Sequence, residues 1–249
     1  MIYDLQKASV LKRAAAWLLD IILLVVLACG IGMILSAALN YDQHSQALEA
    51  CYERYEKEFG IDFDVYADLT EEEQARFEAA NAALQKDTQA LKAYNMVVNL
   101  SLTIVSLSVL LSYLALEFAV PLLFGNGQTM GKKVFGIGLI RVDGVKISTF
   151  ALFVRTVLGK YTVEPMIPVL MVMMIFIGTI GILGPAIVLG LLILQVALII
   201  TSPTNSALHD HMAATVAVDL ASQMIFATAE DLVEYKKQVH AEQVKNQPY

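Results

Sequence analysis

The sequence predicts an all-α membrane protein: a four-span helical bundle with an extracytoplasmic helical hairpin and a small cytoplasmic β-hairpin. Three observations carry this expectation. Hydrophobic residues make up 57% of the chain and charged residues 16%, with a mean hydropathy of +0.61, a composition unlike that of a soluble domain. Long apolar runs recur at 14–39, 96–124 and 165–200. Between the first two lies an acidic segment, 41–95, with 13 Asp or Glu against 5 Lys or Arg.

The first run follows Lys7, Lys12 and Arg13, as a secretory signal would. A signal's apolar core holds about 7–15 residues, whereas this run has about 26 and is long enough to span a bilayer. The second run mixes Asn99, Ser101, Thr103, Ser106, Ser108, Ser112 and Glu117 into apolar sequence, so it reads as a span that faces other protein. The third carries no charge and is interrupted by "GTIGILGP", Gly178–Pro185. As one helix it would be about 54 Å long against a hydrocarbon core of about 30 Å. Two short spans, 165–182 and 184–200, folded back at the Gly and Pro residues fit better.

Sidedness follows from the basic residues. In the loop 125–164, Lys132, Lys133, Arg141, Lys146, Arg155 and Lys160 outnumber Asp143 and Glu164, which makes this loop cytoplasmic. Four spans then put both termini in the cytoplasm, including a C-terminal helix or tail at 221–249, and leave 41–95 outside. The net charge of −7 originates in that outer segment. No basic surface exists for phosphate binding, so nucleic acid is not an expected partner.

Within 41–95, Leu48, Cys51, Tyr52, Tyr55 and Phe59 share one helical face, Gly60 ends that helix, and "TEEE" at Thr70–Glu73 is a capping box that starts another. Phe77, Leu84, Leu91 and Val98 recur every seven residues, which predicts that the second helix runs straight into the second span. The hairpin is either a spacer burying its own stripe or a docking surface for an extracytoplasmic protein partner. Cys29 and Cys51 lie too far apart along one helix to bridge.

The loop "GNGQTMGKKVFGIGLIRVDGVKIS", Gly125–Ser148, is not a phosphate loop. Five residues instead of four separate Gly125 from Gly131, Lys133 follows Lys132, and no strand precedes it. The expectation is that the chain turns onto the membrane surface, with Lys132 and Lys133 at anionic headgroups. "LIRV", "DG" and "VKIS" then predict a hairpin with a type I′ turn at Asp143 and Gly144.

Three polar groups fall at one level of the bundle: Asp20, Glu117 and Gln195. They form the predicted ion or proton site. A carboxylate at that depth costs roughly 2.5–3.5 kcal/mol unless paired, protonated or hydrated. Asp20 lies about 10 Å deeper than Arg13 on the same helical face, too far for a direct pair. Its expected partner is Arg155 or Lys160, while Arg13 is free to meet Asp210. A purely structural protein would use such pairs too, because breaking a buried one costs about 3–5 kcal/mol. "HDH", His209–His211, lacks the three or four ligands that zinc needs, so Asp210 reads as a helix cap or an ion-pair member. No nucleophile motif, metal site or cofactor site is predicted, and an enzyme is the least favoured class.

Three stretches carry a resemblance: "RAAAWLLD" with Arg13 and Asp20, "GQTMGKKVFGIGLIRVDG" in the loop, and "ALHDHMAATVAV" with Asp210. The chain resembles the RDD family of bacterial membrane proteins, named for one arginine and two aspartates. The resemblance covers 1–40 and 96–220 and leaves out the insertion at 41–95, which is longer than the family pattern requires. It implies a small multi-pass protein of the bacterial plasma membrane. Such proteins are often associated with transport, and one branch is linked to sodium and proton exchange. Two functions follow as expectations. One is an ion- or proton-coupled transporter that uses Asp20 and Glu117 and works as a homo-oligomer in the lipid bilayer. The other is a scaffold that presents 41–95 to a partner.

Overall fold

The computed structural model describes residues 5–65, 67, 69–176 and 181–245. The chain forms two compact units, one of Met1–Val25 with Ser112–Tyr249 and the other of Val26–Leu111. Among the described residues, three helices are long and apolar enough to cross a membrane: Val10–Ala38, Thr88–Phe124 and Leu183–Thr201.

The unit Val26–Leu111 holds the C-terminal part of α1 (Val10–Ala38), α2 (Tyr41–Phe59), α3 (Glu71–Leu84) and most of α4 (Thr88–Tyr113). Gly60 adopts a φ of 62° and donates its N–H to Glu56 O, the left-handed cap that stops α2. The capping box at Thr70 and Glu73 starts α3. Edge-on aromatic contacts run from Tyr52 to Phe63 and on to Phe77, and Cys51, Tyr55 and Ala80 are buried between α2 and α3. Near the other end, the Ser101 hydroxyl donates to Tyr41 Oη at 3.2 Å.

One expectation in this unit is corrected. The helix carrying Phe77 and Leu84 does not run straight on. It stops at Leu84, and Asp87 starts α4 by accepting the N–H groups of Gln89 (2.7 Å) and Ala90 (3.3 Å). The other Asp87 oxygen takes the Tyr55 hydroxyl at 3.2 Å and the Arg54 guanidinium. A cap with four donors outweighs a seven-residue apolar repeat.

In the other unit α4 continues through a π-helical stretch, Leu114–Ala119, into α5 (Val120–Phe124). There follow α6 (Met130–Val134), β1 (Ile137–Arg141) and α7 (Thr149–Phe153). A second π-helical stretch, Val154–Met166, leads into α8 (Ile167–Phe176). After them come α9 (Leu183–Thr201), α10 (Leu208–Met212), β2 (Thr215–Asp219) and α11 (Ala229–Lys245). The apolar run beginning at Pro165 is therefore no fresh helix: Pro165 sits inside the second π-helical stretch, and helical structure is continuous from Thr149 to Phe176. Of the predicted break, Gly178, Thr179 and Ile180 lie outside the described residues, whereas Gly181 has a φ of 55° and α8 packs on α9.

The β-hairpin is also corrected. β1 pairs antiparallel with β2, from Ile137 opposite Asp219 to Arg141 opposite Thr215, and touches Lys146 by one bridge alone among the described residues. The turn closes through Gly144 N–H to Arg141 O at 3.0 Å and Arg141 N–H to Val145 O at 2.8 Å. Gly144 (φ 89°) holds its positive φ, so Val142 and Asp143 form a type I turn followed by a glycine bulge, not type I′. Burial decides the pairing. Ile137, Leu139, Ile140, Val216, Ala217 and Val218 are all at most 2% exposed, and each large one contributes about 1.5–3 kcal/mol. The chain start covers the free edge of β2 through Ala8 N–H to Ala217 O (3.1 Å) and Asp219 N–H to Gln6 O (2.9 Å). α11 packs Leu232 and Tyr235 on Val145 and Phe226.

Candidate functional site

Asp20 is buried on α1, and its partner is not Arg155 or Lys160. Its carboxylate takes the Thr129 hydroxyl at 2.5 Å and the Gly131 N–H at 2.7 Å. These are donors at the start of α6, where unsatisfied first-turn N–H groups point outward. Thr129 Oγ1 caps the same helix by accepting the Lys132 N–H at 3.2 Å. Only glycine permits the approach: a Cβ on Gly131 would lie 2.2 Å from Ala16 O. The result is a dipolar clamp between α1 and α6 that needs no cation.

The two loop lysines differ. Lys133 is exposed, with its ammonium 3.6 Å from the centre of the Phe124 ring. Lys132 is half-buried, with Nζ 3.4 Å from Thr129 Oγ1. Burial, seconded by Arg155 and Lys160, lowers its pKa to about 8 against the opposing pull of Glu117 and Asp20.

Asp210 lies fully buried at the centre of a second network. Arg155 Nε donates to Oδ1 at 2.9 Å, Arg13 Nη2 reaches Oδ2 at 3.4 Å, and the Thr215 hydroxyl adds 3.2 Å to Oδ1. Arg13 also donates to Asn205 O at 2.5 Å. The structure thus brings Arg13 to Asp210 as an ion pair and gives the cap position of α10 to Ala207. Burial opposes ionisation of Asp210, but the charges of Arg155, His209 and Arg13 overcome it and hold the carboxyl well below the usual carboxylate range.

His209 Nδ1 lies 2.6 Å from Glu164 Oε1, which also accepts the His209 N–H at 3.3 Å. Burial and Arg155 push the imidazole pKa down, against Asp210 and Glu164. Gly159 allows α10 this close, since a Cβ there would lie 2.7 Å from His209 Cβ. Gln195 belongs to this network too: its Oε1 accepts the Leu208 N–H at 2.8 Å and its side chain bonds Glu164. Its bonds run to the start of α10 and to Glu164, not to Asp20 or Glu117.

Glu117 stands in the first π-helical stretch at 2% exposure. One oxygen, Oε1, pairs with the Lys160 ammonium from the second π-helical stretch. The Thr156 hydroxyl donates to the Glu117 backbone carbonyl at 3.0 Å and ties the two stretches together. The Lys160 ammonium also lies 5.9 Å from the Tyr113 ring centre. Lys132 and Arg155 follow Lys160 among the charges that bear on the carboxylate. The other oxygen, Oε2, is buried without a hydrogen-bond partner among the described residues. Among the buried side-chain oxygens and nitrogens described, it alone is left so. π-Helical turns recur at functional sites because they displace side chains from the regular helical ladder.

Sequence reasoning missed Thr129, Gly131, and the Glu164–His209 pair. A signal for the first existed in "TMGK", a Thr placed to cap a short helix, but its partner 109 positions away had none.

A family model described as the RDD family matches residues 7–214 of the chain. No curated protein and no solved structure gives a significant match.

Proposed function

The chain belongs to the RDD family, and from that premise we propose that it is an ion- or proton-coupled membrane carrier whose working carboxylate is Glu117. One observation carries the reading: Glu117 Oε2, buried and without a partner among the described residues. A buried carboxylate oxygen left unsatisfied is costly, so it has spare affinity for a proton or a small cation. The other two acids have no such capacity. Asp20 is filled by Thr129 and Gly131, and Asp210 by Arg155, Arg13 and Thr215, which assigns both to holding elements together.

In this reading the bundle has four spans, the third ending in α8 and the fourth being α9. Both termini and the loop 125–164 lie in the cytoplasm of a bacterium, 41–95 projects as a helical hairpin outside, and the protein resides in the plasma membrane. Four short spans enclose little space, so the working form is a homo-oligomer in the bilayer, and it is not an enzyme.

A second reading, a scaffold that docks an extracytoplasmic protein, is favoured by the open groove along α3 lined by Leu69, Phe77, Asn81 and Gln85. Uptake of monovalent cations into proteoliposomes under a pH gradient separates the two. The carrier reading expects uptake by the wild type and its loss in Glu117→Gln. An inactive wild type that captures a partner only with 41–95 present supports the scaffold.

A further inference from the structure

We propose that Lys160 is the tethered counter-ion of the Glu117 site: its ammonium competes for the carboxylate with a small monovalent cation that enters at Oε2. The inference rests on the carrier reading for the passage of that cation, but not for the competition at the carboxylate.

The buried acids Asp20, Glu117 and Asp210 set the comparison. Asp20 fills both of its oxygens, with Gly131 on Oδ1 and Thr129 on Oδ2, and Asp210 fills both with Arg155 and Arg13. Glu117 pairs through Oε1, and its buried Oε2 has no partner among the described residues. The chemistry of lysine accounts for the difference. An ammonium is a compact point charge that meets one oxygen, whereas a guanidinium fork spans two. The carboxylate is therefore held by a cation that leaves half of it open.

The pair is free to open without parting its helices. Thr156, one turn before Lys160, donates its hydroxyl to the Glu117 backbone carbonyl at 3.0 Å, and Arg155 ties the same stretch to Asp210. The backbones thus stay joined whichever cation the carboxylate holds. A second resting place for the ammonium lies within reach: the Tyr113 ring centre is 5.9 Å away, inside the range at which a ring face attracts a cation. Tyr161 packs edge-on against that ring with 5.5 Å between centres and steadies it.

Charge then decides which ions the site admits. Glu117 and Lys160 cancel each other. A monovalent ion brings the buried site to a single positive charge, whereas a divalent ion would bring it to a double one, and uncompensated charge at this depth is costly. Lys160 is in this way the residue that selects for single charge. No covalent bond forms or breaks in the exchange, and nothing is oxidised or reduced.

Isothermal titration calorimetry on the full chain in detergent micelles, with choline chloride holding the ionic strength, tests this with sodium and calcium. The wild type should bind sodium and not calcium. Lys160→Met should bind sodium roughly tenfold more tightly than the wild type, because the competing ammonium is gone, and should gain calcium. Lys160→Arg keeps the charge but spans both oxygens, so it should fold and lose sodium. A pair that only pins helices would change melting temperatures without moving the two sodium affinities in opposite directions. Equal sodium affinity in the wild type and Lys160→Met, or full sodium binding by Lys160→Arg, overturns the proposal and leaves the carrier reading standing. The arginine variant creates no unpaired charge, so it decides the question even where Lys160→Met does not fold. A wild type that binds no sodium, beside a Lys160→Met that does, defeats the carrier reading and leaves Lys160 as the group that closes the site.

Discussion

Arg155 and Asp210 stand 55 positions apart in the sequence and meet with Nε 2.9 Å from Oδ1, where Asp210 has no exposure to solvent. Arg13 reaches the second oxygen, so one carboxylate locks the second π-helical stretch and α10 to the start of α1. Asp210→Asn leaves two guanidinium groups without their counter-ion and should cost about 3–5 kcal/mol. Lys12→Ala, which removes the exposed pair with Asp219, should cost at most about 1 kcal/mol. Thermal unfolding in detergent, followed by circular dichroism, compares the two directly.

Gly131→Ala should destabilise by roughly 1–3 kcal/mol, the usual toll of overpacking, because its Cβ would meet the Ala16 carbonyl at 2.2 Å and backbone cannot swing aside. Gly190→Ala is the control. It lies in α9 with nothing within 4 Å of the new Cβ, so its melting temperature should stay level or rise.

Thr129→Val should also destabilise, by about 1–3 kcal/mol, since it strips a donor from buried Asp20 and an acceptor from the Lys132 N–H. Thr129→Ser keeps both bonds and should remain within about 0.5 kcal/mol of the wild type. Equal melting temperatures for Val and Ser would mean that the clamp contributes nothing.

What the sequence made legible was whatever depends on local pattern or on charge. Gly60, the Thr70–Glu73 box and the α9 boundaries follow from cap chemistry and apolar length, and Arg13 with Asp210 follows from opposite charge. The partner of Asp20 was hidden because it is a hydroxyl and a backbone N–H, which carry no charge to search for. The partner of β1 was hidden because "TVAV" is too short to announce a strand, and the nearby "DG" offered a local alternative. The π-helical stretches around Glu117 and Lys160 leave no composition signal at all, yet they set the one unsatisfied carboxylate oxygen among the described residues. The bond from Gln195 to the start of α10 was hidden because depth along a span says nothing about which neighbour a side chain faces.

His209 should make stability depend on pH. Its imidazole pKa is lowered in the fold, by burial and then by Arg155, so the unfolded chain takes up the proton more readily. Stability should therefore be full above about pH 6.5, the ordinary imidazole value, and fall as pH drops below it. The Asp210 carboxyl is shifted down, so its contribution persists to lower pH and fades only in stronger acid. Melting temperatures measured across neutral to mildly acidic pH should show the decline in the wild type and a flatter profile in His209→Gln.

Cation flux per folded protein, measured side by side for Asp20→Asn and Glu117→Gln in proteoliposomes, separates a transporting carboxylate from a clamping one. Asp20→Asn should lose stability yet keep most of the wild-type flux, and Glu117→Gln should fold and carry none. Flux that survives in Glu117→Gln, or that disappears equally in both, would contradict the assignment of Glu117 as the working carboxylate.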